Sequence, residues 1–474
     1  MIGFGAGRIL ARFARVTGVM KFHAASIGLF LLSACSTTQQ TNTVPTSGDA
    51  QCSATLPDTV LGERTAALLD VIDSGDPERI ATLVEAQFSA EFRQLVPVEA
   101  HVAALAGLHE QTGGVTVCRV EYASDTRALV LLGSAESDAL HYMSILLDDA
   151  APHLVDRLRF DPADPAALAH PPAPLDDATR HALIEGVAES LDDYIFADVA
   201  AAMQARIRGD RDAGRYAALT HGLALAEQLT EDLREVSHDL HLAIRYSPTS
   251  IPDRAPAPPS AEEIEQMRAE AARQNYGITR VDTLPGNVGY IDLRMFWPAE
   301  IAREGLGPAM SQLAGTDSLI VDLRLNHGGD PEAVAFMTSY LFGDEKVHLN
   351  DLYYRRTDET REYWTDPSVP GQRFGPDKPV YVLISGETFS GGEEFANNLR
   401  ELGRATLIGE STGGGAHPVE GIRVDEHLLA IVPVGRAINP ISKGNWEGTG
   451  VQPHVEVAPA EALDRALALI RERG

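Results

Sequence analysis

Two short passages hold residue types that can do chemistry together. In residues 379–403, PVYVLISGETFSGGEEFANNLRELG, an apolar run ends at Ser385-Gly386, and Ser390 follows a short turn at the start of a helical pattern. A serine nucleophile needs an exposed oxygen at a sharp turn, a backbone N–H aimed at the developing oxyanion, and small neighbours that let a carbonyl approach. Ser390-Gly391-Gly392 can offer all three, and the positive end of a helix adds to them. The same residues also read as a plain helix start, because Ser390 and Glu393 have the S-x-x-E spacing of a capping box. In residues 318–330, SLIVDLRLNHGGD, a buried-type strand runs into Asn326-His327-Gly328-Gly329. That turn can present a second oxyanion donor. Its bland reading is a tight strand-to-helix connection.

Regular elements must position these residues. Residues 318–325 and 380–385 are continuous apolar runs of the buried-strand type. Residues 331–342 predict a helix opened by Asp330 and Pro331, and 391–402 a helix stopped by Gly403. Strands at 288–296, 405–408 and 428–434 and a last helix at 463–473 complete a strand–helix alternation, which predicts an α/β layered core over 281–474. Upstream, helical spacing over 175–250 predicts a helical subdomain closed by a strand at 241–246, and a polar helix follows at 262–274. Residues 53–161 begin with helical patterns at 65–72 and 77–92. They continue as alternating runs at 115–122, 128–133, 140–147 and 154–159, which predicts a small α+β accessory domain with antiparallel strands. Proline-rich linkers separate the units at 162–174 and 247–260.

The chain has 474 residues, 44% of them hydrophobic and 23% charged, enough to bury large cores in about three domains. Its 39 basic and 68 acidic residues give a net charge of −29. No basic footprint is left for nucleic acid, so no such partner is expected. No apolar run approaches the ~20 residues that span a bilayer.

Residues 1–34 carry Arg8, Arg12, Arg15 and Lys21 but no acid, and an apolar stretch leads to Leu32-Ser33-Ala34-Cys35. This resembles a bacterial lipoprotein signal peptide. It implies lipidation at Cys35, a membrane anchor through that residue, and a place on the periplasmic side of the cell envelope. Ser36, where an aspartate would favour the inner membrane, makes the outer membrane the preferred site. Residues 35–52, rich in Ser, Thr and Gln, are expected as a disordered tether. Cys52 and Cys118 can form a disulfide in an oxidising compartment, or stay two buried thiols. Neither neighbours a metal-type cluster, so no metal site and no cofactor are expected.

The two opening passages belong to a longer ordered series: GYIDLRMF, VDLRLNHGG, TFSGGEEFANNL, LIGESTGGG and NWEGTGVQP, all within residues 281–460. That series resembles the S41 serine peptidases. The resemblance implies a crotonase-like α/β core behind a helical subdomain, and hydrolysis of peptide bonds through an acyl-enzyme. Residues 53–161 resemble, more loosely, the nuclear-transport-factor-two-like domains found before some secreted hydrolases. The carboxyl-terminal-processing branch of the family uses a lysine in a G-E-x-T-x-G-K context. Here that slot is Gly415, and no insert the size of a PDZ domain separates Tyr246 from Val288. The other branch resembles tricorn protease and the modules of the interphotoreceptor retinoid-binding protein, with a Ser-His-Glu arrangement.

Matched to that branch, Ser390 is the nucleophile, His241 in DLHL the general base, and Glu447 in EGTGVQP the group that orients it. Gly391 with Gly328 or Gly329 would form the oxyanion hole. His238 is an alternative base, and Ser237 an auxiliary to the base. A neutral imidazole can take the serine proton and return it to the leaving amine. Activity would then rise with pH near the ordinary histidine value of about 6.5. The implied substrate is a short or unfolded peptide. Retinoid-binding relatives on the same fold leave a second reading open: a non-catalytic module for a hydrophobic ligand or a peptide.

Overall fold

The computed structural model describes residues 52–95, 98–169, 172–253 and 259–473. The expected signal peptide, Cys35 and the tether up to Gln51 lie outside the described residues.

The first unit is helices followed by a meander. Helix α1 (Val60–Ser74) starts where the Thr59 hydroxyl accepts the Gly62 N–H, and ends at Gly75 with φ 60°. Helix α2 (Pro77–Gln87) has Asp76 as its cap and Pro77 in its first turn. The single helix expected over 77–92 is split. Phe88 turns extended, is fully buried and bridges to Val155, and a second helix, α3 (Ala90–Leu95), begins after it. Burying that ring outweighs continuing the helix. Helix α4 (Val98–Thr112) was not visible in the sequence, because its alanines and glycine blur the apolar stripe. Four strands follow, β1 (Val115–Ala123), β2 (Arg127–Ser134), β3 (Leu140–Leu147) and β4 (Val155–Ala163), paired antiparallel in that order.

Side chains alternate between the two faces of this sheet. Val130, Leu132, Met143 and Ile145 face Leu68, Ile72 and Phe88 of the helices. Leu129, Leu131 and Tyr142 point the other way and pack with Leu223 and Tyr246 of the next unit. An Arg127–Glu227 ion pair of 2.6 Å and the Tyr122 ring stacked on His221 extend this contact. Cys52 and Cys118 are joined by a disulfide, which fastens the start of the described chain to β1.

The second unit holds α5 (Asp177–Ser190), α6 (Ala197–Asp212), α7 (Gly222–Ser237) and strand β5 (Ala243–Tyr246). The strand starts two residues later than the sequence suggests, so His241 sits in the turn before it. Helix α8 (Ala261–Arg273) follows with a full Ser260–Glu263 capping box.

The third unit alternates strands and helices. It runs β6 (Ile278–Leu284), β7 (Val288–Leu293), α9 (Ala299–Leu313), β8 (Ser318–Asp322), α10 (Pro331–Ser339), β9 (His348–Tyr354), β10 (Glu359–Trp364) and β11 (Val380–Ile384). It continues with α11 (Gly391–Glu401), β12 (Thr406–Gly409), β13 (Val419–Arg423), β14 (Leu428–Pro433), β15 (Gly435–Ile438), β16 (Val455–Glu456) and α12 (Ala462–Arg473). The central sheet has the order β16-β12-β11-β8-β7-β6, parallel except for the β6–β7 pair. Strands β8 and β11 are buried at every residue, which explains their unbroken apolar sequences. Their C-terminal ends lie side by side and feed the two loops that hold the glycines and Ser390. The small sheet β13-β14-β5 joins the helical unit to this core, and β10-β9-β15 forms a third layer. Strands β6, β9, β10, β13, β15 and β16 were missed in the sequence; β10 is almost wholly exposed and has no apolar alternation.

Among the described residues, no helix is long and apolar enough to cross a membrane.

The disulfide closes a separation of 66 residues. Replacing Cys52 and Cys118 together by Ala is expected to lower the stability of the accessory unit by about 2–4 kcal/mol, measured by denaturant unfolding. An unchanged transition would show that the link adds nothing to the folded state.

Candidate active site

Ser390 sits between the end of β11 and the first turn of α11 with φ 53° and ψ −119°. A residue with a Cβ adopts that conformation only when its surroundings over-determine it. The bracing is on both sides. Before it, the Thr388 hydroxyl donates to Leu323 O at 2.8 Å and the Phe389 N–H donates to Asn326 O at 2.9 Å. These bonds tie the turn to the end of β8. After it, the fully buried Glu393 reaches back. Its Oε2 accepts the Ser390 N–H at 2.9 Å and the Gly415 N–H at 2.8 Å. Its Oε1 accepts the Gly414 N–H at 2.7 Å and the Thr412 hydroxyl. Burial pushes the Glu393 carboxyl up to about 8, against the pull of the Thr412 hydroxyl and the three amides. The capping-box spacing seen in the sequence thus has a wider purpose: Glu393 binds the serine turn to a second loop.

That second loop is locked to a third. The Thr412 hydroxyl accepts the Val451 N–H at 2.6 Å, Gly448 N–H donates to Gly414 O at 2.8 Å, and the Trp446 indole N–H donates to Gly415 O at 2.8 Å. Glu447 lies in this third loop, and its Oε2 accepts the Ala416 N–H at 2.6 Å.

The glycine pair after β8 leans on the serine. A Cβ on Gly328, at φ 96°, would stand 2.6 Å from Ser390 Cβ and 2.7 Å from Gly391 N. Gly329, at φ 132°, bridges to Phe296. The Phe296 N–H donates to Gly328 O at 2.8 Å, and the Asp330 N–H donates to Phe296 O at 2.9 Å. Gly329 also packs against the start of α11. A Cβ on Gly391 would come within 3.0 Å of that Gly329 nitrogen. The Gly391 N–H lies in the first turn of α11, where amides lack an intrahelical acceptor. These two amides are therefore neighbours beside Ser390. Gly328 is a correction: its N–H donates to Asn326 Oδ1 at 2.9 Å and is already engaged. Asn326, fully buried, also donates to Leu293 O at 2.9 Å and so fixes the loop.

His241 is buried in the turn before β5. Its ring lies against the Phe389 ring, with centroids 4.6 Å apart and planes at 38°. Its backbone N–H donates to Asp239 Oδ1 at 3.0 Å. Neither ring nitrogen has a hydrogen-bond partner among the described residues, so none joins it to the Ser390 hydroxyl. Burial pushes His241 down to about 4; the Asp239 charge opposes this, and those of His417 and Arg234 add to it. At Gly415 a side chain would meet the ends of two rings. A Cβ there would stand 2.3 Å from Phe389 Cζ and 2.6 Å from His241 Cε1. The two rings fill the space a lysine would need.

The structure does not place the other expected groups as the sequence suggested. Glu447 does not bond His241. It turns to His417, with Oε2 3.5 Å from Nδ1, while its Oε1 is buried without a partner among the described residues. His238 caps the end of α7 at φ 55°, and its side chain is exposed, which sets it apart from the buried His241. The Ser237 hydroxyl accepts the Asp239 N–H at 3.2 Å rather than contacting an imidazole. His327 keeps both ring nitrogens unpaired, and burial followed by the charges of Arg157 and Arg294 brings it to about 4.

Sequence reasoning passed over His417. Its Nδ1 lies 2.6 Å from Asp239 Oδ2, which also accepts the Tyr194 hydroxyl at 3.2 Å. Its one signal is its position two residues after Gly415, in the loop that already carried the lysine slot. Ligand-type atoms of Asp239, His417 and Glu447 lie within 4.8 Å of one another. At 2.6 Å, however, the first two stand closer than the ~3.3 Å that bonds of about 2.0 Å at tetrahedral angles would give two ligands of one zinc ion. The spacing is that of a shared proton.

Replacing Gly329 by Ala would put a Cβ 1.9 Å from Phe296 O at a φ of 132°. We expect a loss of at least about 2 kcal/mol in denaturant unfolding; unchanged stability would mean the glycine loop is free to shift.

Residues 287–457 match peptidase family S41, and residues 177–277 match the N-terminal domain of peptidase S41 in eukaryotic IRBP. The chain is 27% identical over 190 residues to the chloroplastic carboxyl-terminal-processing peptidase 1 of Arabidopsis thaliana, covering 39% of this chain and 37% of that protein. It is 33% identical over 136 residues to the carboxyl-terminal-processing protease of a Synechocystis species, covering 28% of this chain and 30% of that protein. The match thus spans well under half the length of these relatives. Among solved structures, a lipoprotein from Streptococcus agalactiae aligns over 64% of this chain and 98% of its own, with 12% identity and a TM-score of 0.42. The match to peptidase family S41 thus lies on the α/β core, and the match to the N-terminal domain of its IRBP members on the helical unit before it.

Proposed function

We propose that this protein is a serine peptidase of the Ser-His-Glu kind, acting on short or unfolded peptides. The observation that carries the reading is Ser390, held at φ 53° and ψ −119° beside the amides of Gly329 and Gly391. Ser390 is the nucleophile, His241 the base, and Glu447 the carboxylate that orients the base. The Gly391 and Gly329 N–H groups receive the oxyanion. We also propose that the core is crotonase-like, that the accessory domain is of the nuclear-transport-factor-two-like type, and that the chain is anchored through lipidated Cys35 on the periplasmic side of the envelope.

The chemistry follows the residues. Ser390 Oγ attacks the scissile carbonyl carbon as its proton passes to His241. The C–N bond breaks, and His241 returns the proton to the leaving amine. Water then cleaves the acyl ester by the same route. For the first step the imidazole turns away from the Phe389 ring. Its unpaired nitrogens and the unpaired Glu447 Oε1 are complementary, one a donor and the other an acceptor. Filling of the Gly415 slot by His241 and Phe389 supports a histidine base over a lysine.

Ser390→Ala is expected to cut kcat/KM on unstructured peptide substrates by about 1,000-fold or more. Wild-type rates in that variant, or no hydrolysis by the wild type, would remove the proposal and favour a ligand-binding module.

The pH profile should depart from that of an ordinary histidine. His241, pushed down to about 4, is neutral through the physiological range. Burial first, then the Asp239 charge, pushes Glu447 up to about 7. A raised carboxyl is ionised only above its own value, so kcat/KM should rise as pH passes through about 7. Glu447→Gln should abolish that limb and leave weak activity that falls only towards about pH 4, where His241 protonates. Retention of the limb near 7 in that variant would assign it to another group.

A further inference from the structure

Among the described residues, one buried group that the peptidase reading leaves unused is His417. Its side chain is 4% exposed and stands between two carboxylates, with Nδ1 2.6 Å from Asp239 Oδ2 and 3.5 Å from Glu447 Oε2. Asp239 is also buried, and its other oxygen accepts the backbone N–H of His241. One imidazole thus touches both the residue that holds the base in its turn and the acid proposed to orient it. Resting on the peptidase reading above, we propose that His417 is a positioning residue: as an imidazolium held by Asp239, it keeps Glu447 ionised and close to His241.

The charges around it fit that role. Burial opposes a charge on His417, but the Asp239 hydrogen bond and charge, followed by the Glu447 charge, raise its pKa above the ordinary value. Arg436 works in the opposite direction. Burial also opposes a charge on Asp239, and there the His417 bond and the charges of His417 and His241 prevail and lower its pKa. Arg234, which donates to Leu240 O and Leu242 O, adds a positive field at His241 and feels the Asp239 charge. The Tyr194 hydroxyl stays neutral, raised by burial and by the Asp239 charge. With the imidazolium present, two neighbouring carboxylates share one positive charge. Without it, their mutual repulsion places a proton on one of them. Glu447 takes it, because Asp239 keeps the Tyr194 hydroxyl and the His241 amide as donors. A protonated Glu447 can no longer accept the His241 N–H as an anion, and the base loses its orientation.

The test is the pH dependence of kcat/KM for wild type and His417→Gln. Removal of a positive charge 3.5 Å from the carboxylate should move the acid limb upward by about one pH unit or more. KM should hardly change, and activity should approach that of the wild type above the new limb. An unshifted limb with a uniform loss at every pH would reduce His417 to a packing residue, and full activity at every pH would remove it from the site. Should His417→Gln not fold, histidine ring nitrogen NMR on the wild type decides. Two protonated nitrogens on His417 at pH 7 support the proposal, and a neutral ring overturns it. If the wild type hydrolyses no peptide, the peptidase reading fails first, while the NMR result still reports whether the imidazolium exists.

Discussion

The site hangs on one buried carboxylate. Glu393 accepts hydrogen bonds from Ser390, Gly414, Gly415 and Thr412, and so gathers the serine turn, the loop after β12 and, through Thr412, the loop that carries Glu447. Each partner is a donor, so the ionised carboxylate, which these bonds favour and burial opposes, satisfies all of them at once. An isosteric amide would set its own N–H groups against at least one backbone amide. The strained backbone of Ser390 persists because this anchor and the Thr388–Leu323 bond hold it from both sides. The glycine loop is placed against that fixed turn.

The wider fold serves to bring separate stretches of chain to that point. Strands β8 and β11 run parallel and adjacent, so the glycine loop and the serine turn emerge at the same end of the sheet. Ligand and catalytic sites gather at such carboxyl ends. His241 and Asp239 come from the helical unit, and β5 reaches the site by pairing with β14, which precedes the Glu447 loop. The accessory sheet packs on α7 and β5, the same segment that carries His241. Its apolar contacts therefore reach the segment that carries His241. Its Arg157 charge is felt at His327, in the glycine loop.

Much of this was legible in the sequence. The buried strands stood out as unbroken apolar runs, the helices as capped periodic segments, and Ser390 with its glycines as a turn with donors beside it. Exposed β10 and alanine-rich α4 were illegible, since neither carries the apolar period that marks an element. The same holds for side chains whose meaning depends on three-dimensional neighbours. Nothing in Ala416-His417-Pro418 announces that its imidazole meets Asp239, 178 residues earlier. Gly328 and Gly329 look equivalent in sequence, and only the bond to Asn326 and the bridge to Phe296 separate the engaged amide from the available one. His241 stood ahead of His238 only through the resemblance, and burial sets one inside the protein and the other on a helix end.

The central claim is that Ser390 is a poised nucleophile rather than a helix cap. Intact-protein and peptide mass spectrometry after reaction with a fluorophosphonate tests it most directly. The account predicts a single adduct, located on Ser390, whose rate of formation falls sharply when Glu393 is replaced by Gln. An unmodified wild-type protein, or an adduct on any other residue, would contradict it.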